Sequence, residues 1–411
     1  MSTKALGLTG LVATAFVFAC GSENGGRSGL PPPDQQRQPS TSADTYAWTP
    51  LALTSTDFGF IDRTTGSTFN LRGEAVAGPL AEQRRRLQPV SGFNMFWFAM
   101  SAFYPGAPVW HPDGDRQVKD ELLADDKSGI RACPGGRDCI PSLPVVGKPN
   151  GNLAWTRPGA DDVDYLRDSD LVLGVFVDGV ARAYPHNVLW WHEIANDRID
   201  DIGFSVTFCP LTGSGVGFSA TAADRSFGVS GQLFNSNLVM YDHDSRTLIP
   251  QLWMGPADRS SDWLQQFPIM EMTWGLWQQL FPDTIVLSAD TGYDRDYRQY
   301  PYGDFRTNDL DTFTVTAPLP DRQYPNKTMI YALVDRGASA VRGYVHDDLD
   351  AISTDGRMVI NDTFNGRPVV IVYQREMKRV VGSRERIHGF VQAFWADTPE
   401  GTLEFDLRSS Q

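Results

Sequence analysis

The sequence predicts an α+β fold, rich in strands. One body is assembled from two related hairpin-and-helix units, and the N- and C-terminal strands of that body pair with each other. Three observations predict it: an aromatic helix pattern that occurs twice, a hairpin pattern that occurs twice, and a chain order that leaves the second hairpin unit short of a strand.

The helix pattern comes first. Trp97 and Trp274 each stand eight residues before a proline, Pro105 and Pro282, and an apolar pair follows, Val109-Trp110 and Val286-Leu287. Trp274, Trp277 and Phe281 fall on one face of a helix, which Pro282 ends before a short strand, so these aromatics are read as core. The hairpin pattern begins at Leu171–Pro185, where two apolar runs flank an Asp178-Gly179 turn. Pro185 then opens a helix carrying Leu189, His192 and Glu193, expected to end near Asn196-Asp197, before the apolar run Phe204–Phe208. Its second occurrence starts at Met329 and passes Val334-Asp335-Arg336-Gly337. Asn361-Asp362 is followed at the same spacing by an apolar run ending at Tyr373.

In the first copy a strand from Phe227 to Leu238 runs on into Met240-Tyr241-Asp242, but the second copy stops at Thr402–Phe405. Phe58–Asp62 is therefore expected to complete it. The expected organisation is a signal segment over 1–19, a tether over 20–50 and one body over 51–411. Its paired regions are 58–110 with 328–407 and 170–240 with 240–287.

Lys4, the apolar run Ala5–Ala19 and Val17-Phe18-Ala19-Cys20 have the layout of a secretory signal. Fifteen residues span about 22 Å as a helix, short for a membrane crossing. The last four residues resemble a lipobox, which makes Cys20 a lipidation site and the membrane a partner through the lipid. The alternatives are an ordinary cleaved signal or a retained anchor. The Gly, Ser, Pro and Gln-rich stretch that follows lacks the apolar surface to fold.

A formal charge of −14 disfavours nucleic acid and anionic lipid surfaces as partners. Of the cysteines beyond Cys20, Cys133 and Cys139 flank a turn and can form a clasp, leaving Cys209 free. Pairing of Cys139 with Cys209 is the competing arrangement, and distance alone decides.

Asp170–Pro185, Trp191–Asp197, Cys209-Pro210-Leu211 and Phe227–Asp242, with Cys139–Leu143 upstream, resemble the bacterial family catalogued as domain of unknown function 3179 (DUF3179). The resemblance covers about 150 residues strongly. It implies an exported protein and brings no activity with it. Where that family commonly reads Cys-Pro-Leu-Cys-Gly, this chain has Thr212 in place of the second cysteine, so dithiol chemistry is not available to it.

Cys209, at the end of an apolar strand, is the candidate nucleophile or metal ligand, with His192 as base or second ligand and Glu193 beside it. The competing reading is a buried cysteine and a packed histidine. His186 lies about 240° from His192 around a shared helix, so the two cannot face one ion. Asn235 and Asn237 share a side of a regular strand, and with Tyr241, Asp242 and Tyr184 they are candidate ligand-binding residues. They could equally close a turn.

Two function classes follow. The first is an envelope lipoprotein that binds a small ligand or another envelope protein in a cleft near Cys209 and His192. The second is a thiol-dependent enzyme, or a protein holding one transition-metal ion through Cys209 and His192. No nucleotide-binding glycine loop, nucleophile elbow or His-Glu-x-x-His helix occurs in the chain.

Overall fold

The computed structural model describes residues 59–119, 130–132, 135–144, 153–220, 225–258, 260, 263–312, 322–381, 384–398 and 401–407. The signal segment with Cys20, the tether, Phe58 and Cys133 lie outside the described residues.

The fold is α+β and mostly β, and its sheets come in matched pairs. One five-stranded sheet runs Met270–Thr273, Leu171–Val177, Val180–Pro185, Ile285–Leu287, Trp155–Thr156, and the other runs Gly92–Phe96, Met329–Asp335, Ala340–Val345, Pro108–Trp110, Arg116–Gln117. In each, a hairpin is flanked on both sides by the strands of a strand–helix–strand unit. The helices are Trp274–Leu280 and Trp97–Phe103. The strand after the helix pairs parallel with the hairpin in both cases, Ala183 opposite Val286 and Gly343 opposite Val109. Asp178 and Gly179 both have positive φ, as a two-residue primed turn requires.

A four-stranded sheet follows each hairpin: Ile194–Ile199, Ile202–Cys209, Ser214–Ser219, Gln266–Phe267, and Arg357–Phe364, Arg367–Val381, Arg384–Trp395, Pro89–Val90. The third pair of sheets closes the molecule. Phe227–Phe234 pairs antiparallel with Asn237–Asp242, Phe227 opposite Asp242. Phe405–Leu407 pairs with Gly59–Asp62, Phe405 opposite Asp62. The segment at the N-terminal end thus occupies the place that residues 237–242 hold in the other half. An amide clamp accompanies each closure. Asn196 Oδ1 accepts the N–H of Phe227 at 2.8 Å, and Asn361 Oδ1 accepts that of Phe405 at 2.8 Å. Asp242 and Asp62 then fold the chain back alike, accepting the N–H of Ser245 at 2.8 Å and of Thr65 at 2.7 Å.

Two local expectations are corrected. The helix after Pro185 spans only His186–His192, and Asn196-Asp197 sits in the next strand. Glu193 adopts a left-handed conformation, φ 57°, that ends the helix, while the pairing of 194–199 with 202–207 takes up the following backbone groups. The strand expected from Phe227 to Leu238 is likewise broken at Asn235 and Ser236, both with positive φ.

Both large apolar clusters draw on both halves. Phe60, Phe69 and Phe394 pack in one with Val172, Trp277 and Phe204, and Trp97, Met100 and Ile330 pack in the other with Cys209, Phe218 and Phe227. The strand–helix junctions also cross between halves: Phe96 N–H donates to Thr212 O at 2.8 Å, and Thr273 Oγ1 donates to Glu376 Oε1 at 2.7 Å.

Candidate functional site

Several residues singled out in the sequence belong to ties that both halves repeat. Tyr184 is buried and donates to Asp197, which also binds Arg182 Nη1 at 2.6 Å. In the second half Tyr344 donates to Asp362 at 2.9 Å, and Arg342 Nε reaches the same carboxylate at 2.9 Å. Asp242 makes the turn described above and meets Arg225 at 3.3 Å. Tyr241 donates to Asp138 at 2.7 Å, pinning the segment that carries Cys139. Cys139 is disulfide-bonded.

Cys209 is buried and free, within the apolar cluster of Phe218 and Phe227. Its thiol donates to Ser236 O at 3.6 Å and accepts the N–H of Leu238 at 3.3 Å. Burial, with the Glu193 carboxyl nearby, pushes it up to about 11, so no thiolate stands here near neutral pH. His192 does not serve it as a base: its ring nitrogens bond Pro141 O at 2.9 Å and Tyr297 Oη at 2.7 Å, and burial lowers it to about 4. Glu193 is closer to Cys209 in effect. Burial raises its carboxyl to about 8, and it accepts from Tyr302 at 3.3 Å.

Asn237 bonds Thr212 Oγ1 at 3.0 Å and Gln251 Oε1 at 2.9 Å, within a buried net that includes Ser214. Asn235 forms the turn before it. The two amides therefore do not face one ligand. Among the described residues no three His, Cys, Asp or Glu side chains group to hold a metal.

A cavity of about 180 Å³ opens instead beside Cys209, where the halves meet. Strand alternation explains the offset: Phe208 and Pro210 line the cavity while the Cys209 side chain lies in the neighbouring core cluster. Helix geometry does the same for the histidines. His186, Asn187 and Trp190 line the cavity, and His192, on the opposite face, does not. Phe96 and Met329 of the second half complete the wall. His186 Nε2 lies 3.6 Å from Glu271 Oε1, both buried, and its ring packs on Phe208 at 4.1 Å. Arg167, Arg298, Arg306 and Tyr300 contribute to the lining as well.

The corresponding residues of the second half bond to one another. His346 opens its helix as His186 does, but it bonds Asn94 Oδ1 at 2.8 Å, accepts the N–H of Gly389 at 3.3 Å and is fully buried. Asn94 stands where Glu271 stands, three residues before the helix tryptophan. The positions of Trp190 and Pro210 are taken by Asp350 and Arg375, which form an ion pair with an Nη2–Oδ2 contact of 2.7 Å. Tyr373, matching Phe208, donates to Asp350 at 3.0 Å. One half thus bridges these positions with an ion pair, and in the other they wall an open cavity together with an imidazole–carboxylate pair. The candidate list from the sequence missed His186 and Glu271. The signal was present where the two copies differ: Glu271 against Asn94, Trp190 against Asp350, Pro210 against Arg375.

No curated protein and no solved structure matches the chain. The family model described as a protein of unknown function (DUF3179) matches residues 32–107 and 137–403, most of the chain and both halves, and the chain belongs to that family.

Proposed function

We propose that this chain is an exported, lipid-anchored binding protein that holds a small molecule in the cavity between its two halves. The observation that carries the binding reading is the difference between the copies: positions bridged by the Asp350–Arg375 ion pair in one wall an open cavity in the other. Its lining joins aromatic side chains such as Phe208 and Trp190 to several charged and polar groups, which can fix a ligand's orientation. Export is supported by the segment ending at Cys20 and by the disulfide at Cys139, which fits an oxidising compartment.

Filling the cavity tests the binding. Leu171 is buried in its wall, and Leu171→Trp is expected to keep the parent melting temperature while abolishing any ligand-induced rise. A ligand at 100 times its Kd stabilises by about 2.7 kcal/mol, a rise of several degrees. An equal rise in parent and variant, or none in the parent across a small-molecule panel, overturns the reading. For the anchor, Cys20→Ser is expected to yield a soluble or unprocessed form. An unmodified N-terminus in the parent, with unchanged fractionation of the variant, overturns that part.

A further inference from the structure

We infer that the ligand of this cavity is a small organic anion about one aromatic ring in size, its charged end on Arg167 and Arg306 and a hydrogen-bond donor on Asn187. The inference rests on the binding reading above and names the chemistry the site selects.

Charge points to the anion. The chain carries a formal charge of −14, yet three arginines line this one cavity. Arg298 is committed to Asp164. Arg167 and Arg306 form no ion pair among the described residues. The Arg306 guanidinium carbon lies 5.1 and 4.5 Å from the ring centres of Trp190 and Tyr300. Such cation–π contacts hold the guanidinium in place without an anionic partner, and its N–H fork fits a carboxylate or phosphate.

The acidic groups of the lining have local partners. Glu271 faces His186, and Asp170 Oδ2 accepts the Arg167 backbone N–H at 2.9 Å and the Asn187 amide at 3.5 Å. The second half supplies an internal precedent, because at its equivalent positions a carboxylate is held on a guanidinium.

Asn187 identifies the other end. Its amide N–H donates to Tyr297 O at 3.0 Å, while its Oδ1 is buried and accepts no hydrogen bond among the described residues. A buried acceptor left without a donor is destabilising, so a ligand hydroxyl or N–H placed here gains what that acceptor lacks. Size sets the rest. An apolar cavity of about 150 Å³ accepts benzene, and this one is about 180 Å³ with Phe208 and Trp190 in its wall.

Calorimetry on the full-length protein with three ring-sized probes tests this: 4-hydroxybenzoate, 4-hydroxyphenyl phosphate and neutral 4-hydroxybenzyl alcohol. Either anion is expected to bind at least about tenfold more tightly than the alcohol, and the tighter of the two identifies the head group. Arg167→Gln and Arg306→Gln are each expected to weaken the anion at least about tenfold, as loss of one charge-assisted contact implies. Alcohol binding as tight as the anions, still abolished by Leu171→Trp, overturns the anion inference and leaves the site standing. Anion binding unaffected by either arginine variant also overturns it. Failure of all three probes, with a binder of other chemistry found in the wider panel, overturns it again, whereas a silent panel removes the binding reading beneath it.

Discussion

Thr212 shows how much one substitution decides. Its hydroxyl is within hydrogen-bonding reach of the Cys209 thiol and also joins the buried net of Ser214 and Asn237. A cysteine at this position would set two sulfurs side by side. Thr212→Cys is therefore expected to form a disulfide with Cys209 during oxidative folding. Thiol titration in denaturant should lose the one titre that Cys209 gives in the parent, and two thiols instead of none would refute the placement. Glu193 and His192 write their burial into the pH dependence of stability. The Glu193 carboxyl rises from 4.5 to about 8, so the folded chain keeps a proton that the unfolded chain gives up. Its contribution is full below pH 4.5 and is lost as the pH rises to about 8. His192, lowered from 6.5 to about 4, acts oppositely: its contribution is full above 6.5 and is lost as the pH falls towards 4. Glu193→Gln, which can still accept from Tyr302, should flatten the decline between pH 5 and 8 in urea melts. A decline as steep as the parent's would mean the carboxyl is ionised in the fold.

Among the elements, the strand–helix–strand units show the tightest packing. A Cβ at Gly174 would lie 2.0 Å from the Trp277 ring, and that ring is fully buried with its Nε1 bonded to Thr284 Oγ1 at 2.8 Å. Neither the ring nor the strand can yield without losing that bond. Gly174→Ala is expected to cost about 1–3 kcal/mol as overpacking, whereas Gly179→Ala, at a turn with open space around it but positive φ, costs through backbone strain alone. Equal melting temperatures for Gly174→Ala and the parent would show that the helix seats elsewhere. The paired helix and hairpin patterns were legible because each carries its own periodicity and turn chemistry. The end of the His186–His192 helix was not. Nothing in His-Glu-Ile announces a non-glycine left-handed residue, and the strand pairing of 194–199 is a long-range choice.

The whole molecule closes through its ends. Phe60 and Phe69 are fully buried against Phe405 and Phe394, with ring centres 5.1–6.1 Å apart, and Phe60 faces Leu407 across the sheet. Removing residues 46–77 is expected to expose that core and the edge of Phe405–Leu407, lowering the melting temperature by many degrees or preventing folding. Removing residues 21–45 should leave it nearly unchanged. Phe60→Ala alone should cost about 3–5 kcal/mol. Indistinguishable denaturation curves for the two deletions would rule out a stabilising closure.

By itself the sequence determined the strand-rich α+β class, the duplicated plan and the pairing of its ends, because repeats, turn residues and the order of units are local or countable. It also narrowed the region of interest to the strand ending at Cys209 and the helix before it. Only the tertiary structure decided which side chains there face the cavity. A strand alternates every residue and a helix turns 100° per residue, so a shift of one position moves attention from sealed Cys209 to Phe208 and Pro210, and His192 lies about 240° around the helix from His186. Likewise the asymmetry between the two halves arises between residues apart in the chain, Glu271 with His186 beside the cavity and Arg375 with Asp350 at the equivalent positions. Those partners are fixed by packing, which no local pattern encodes.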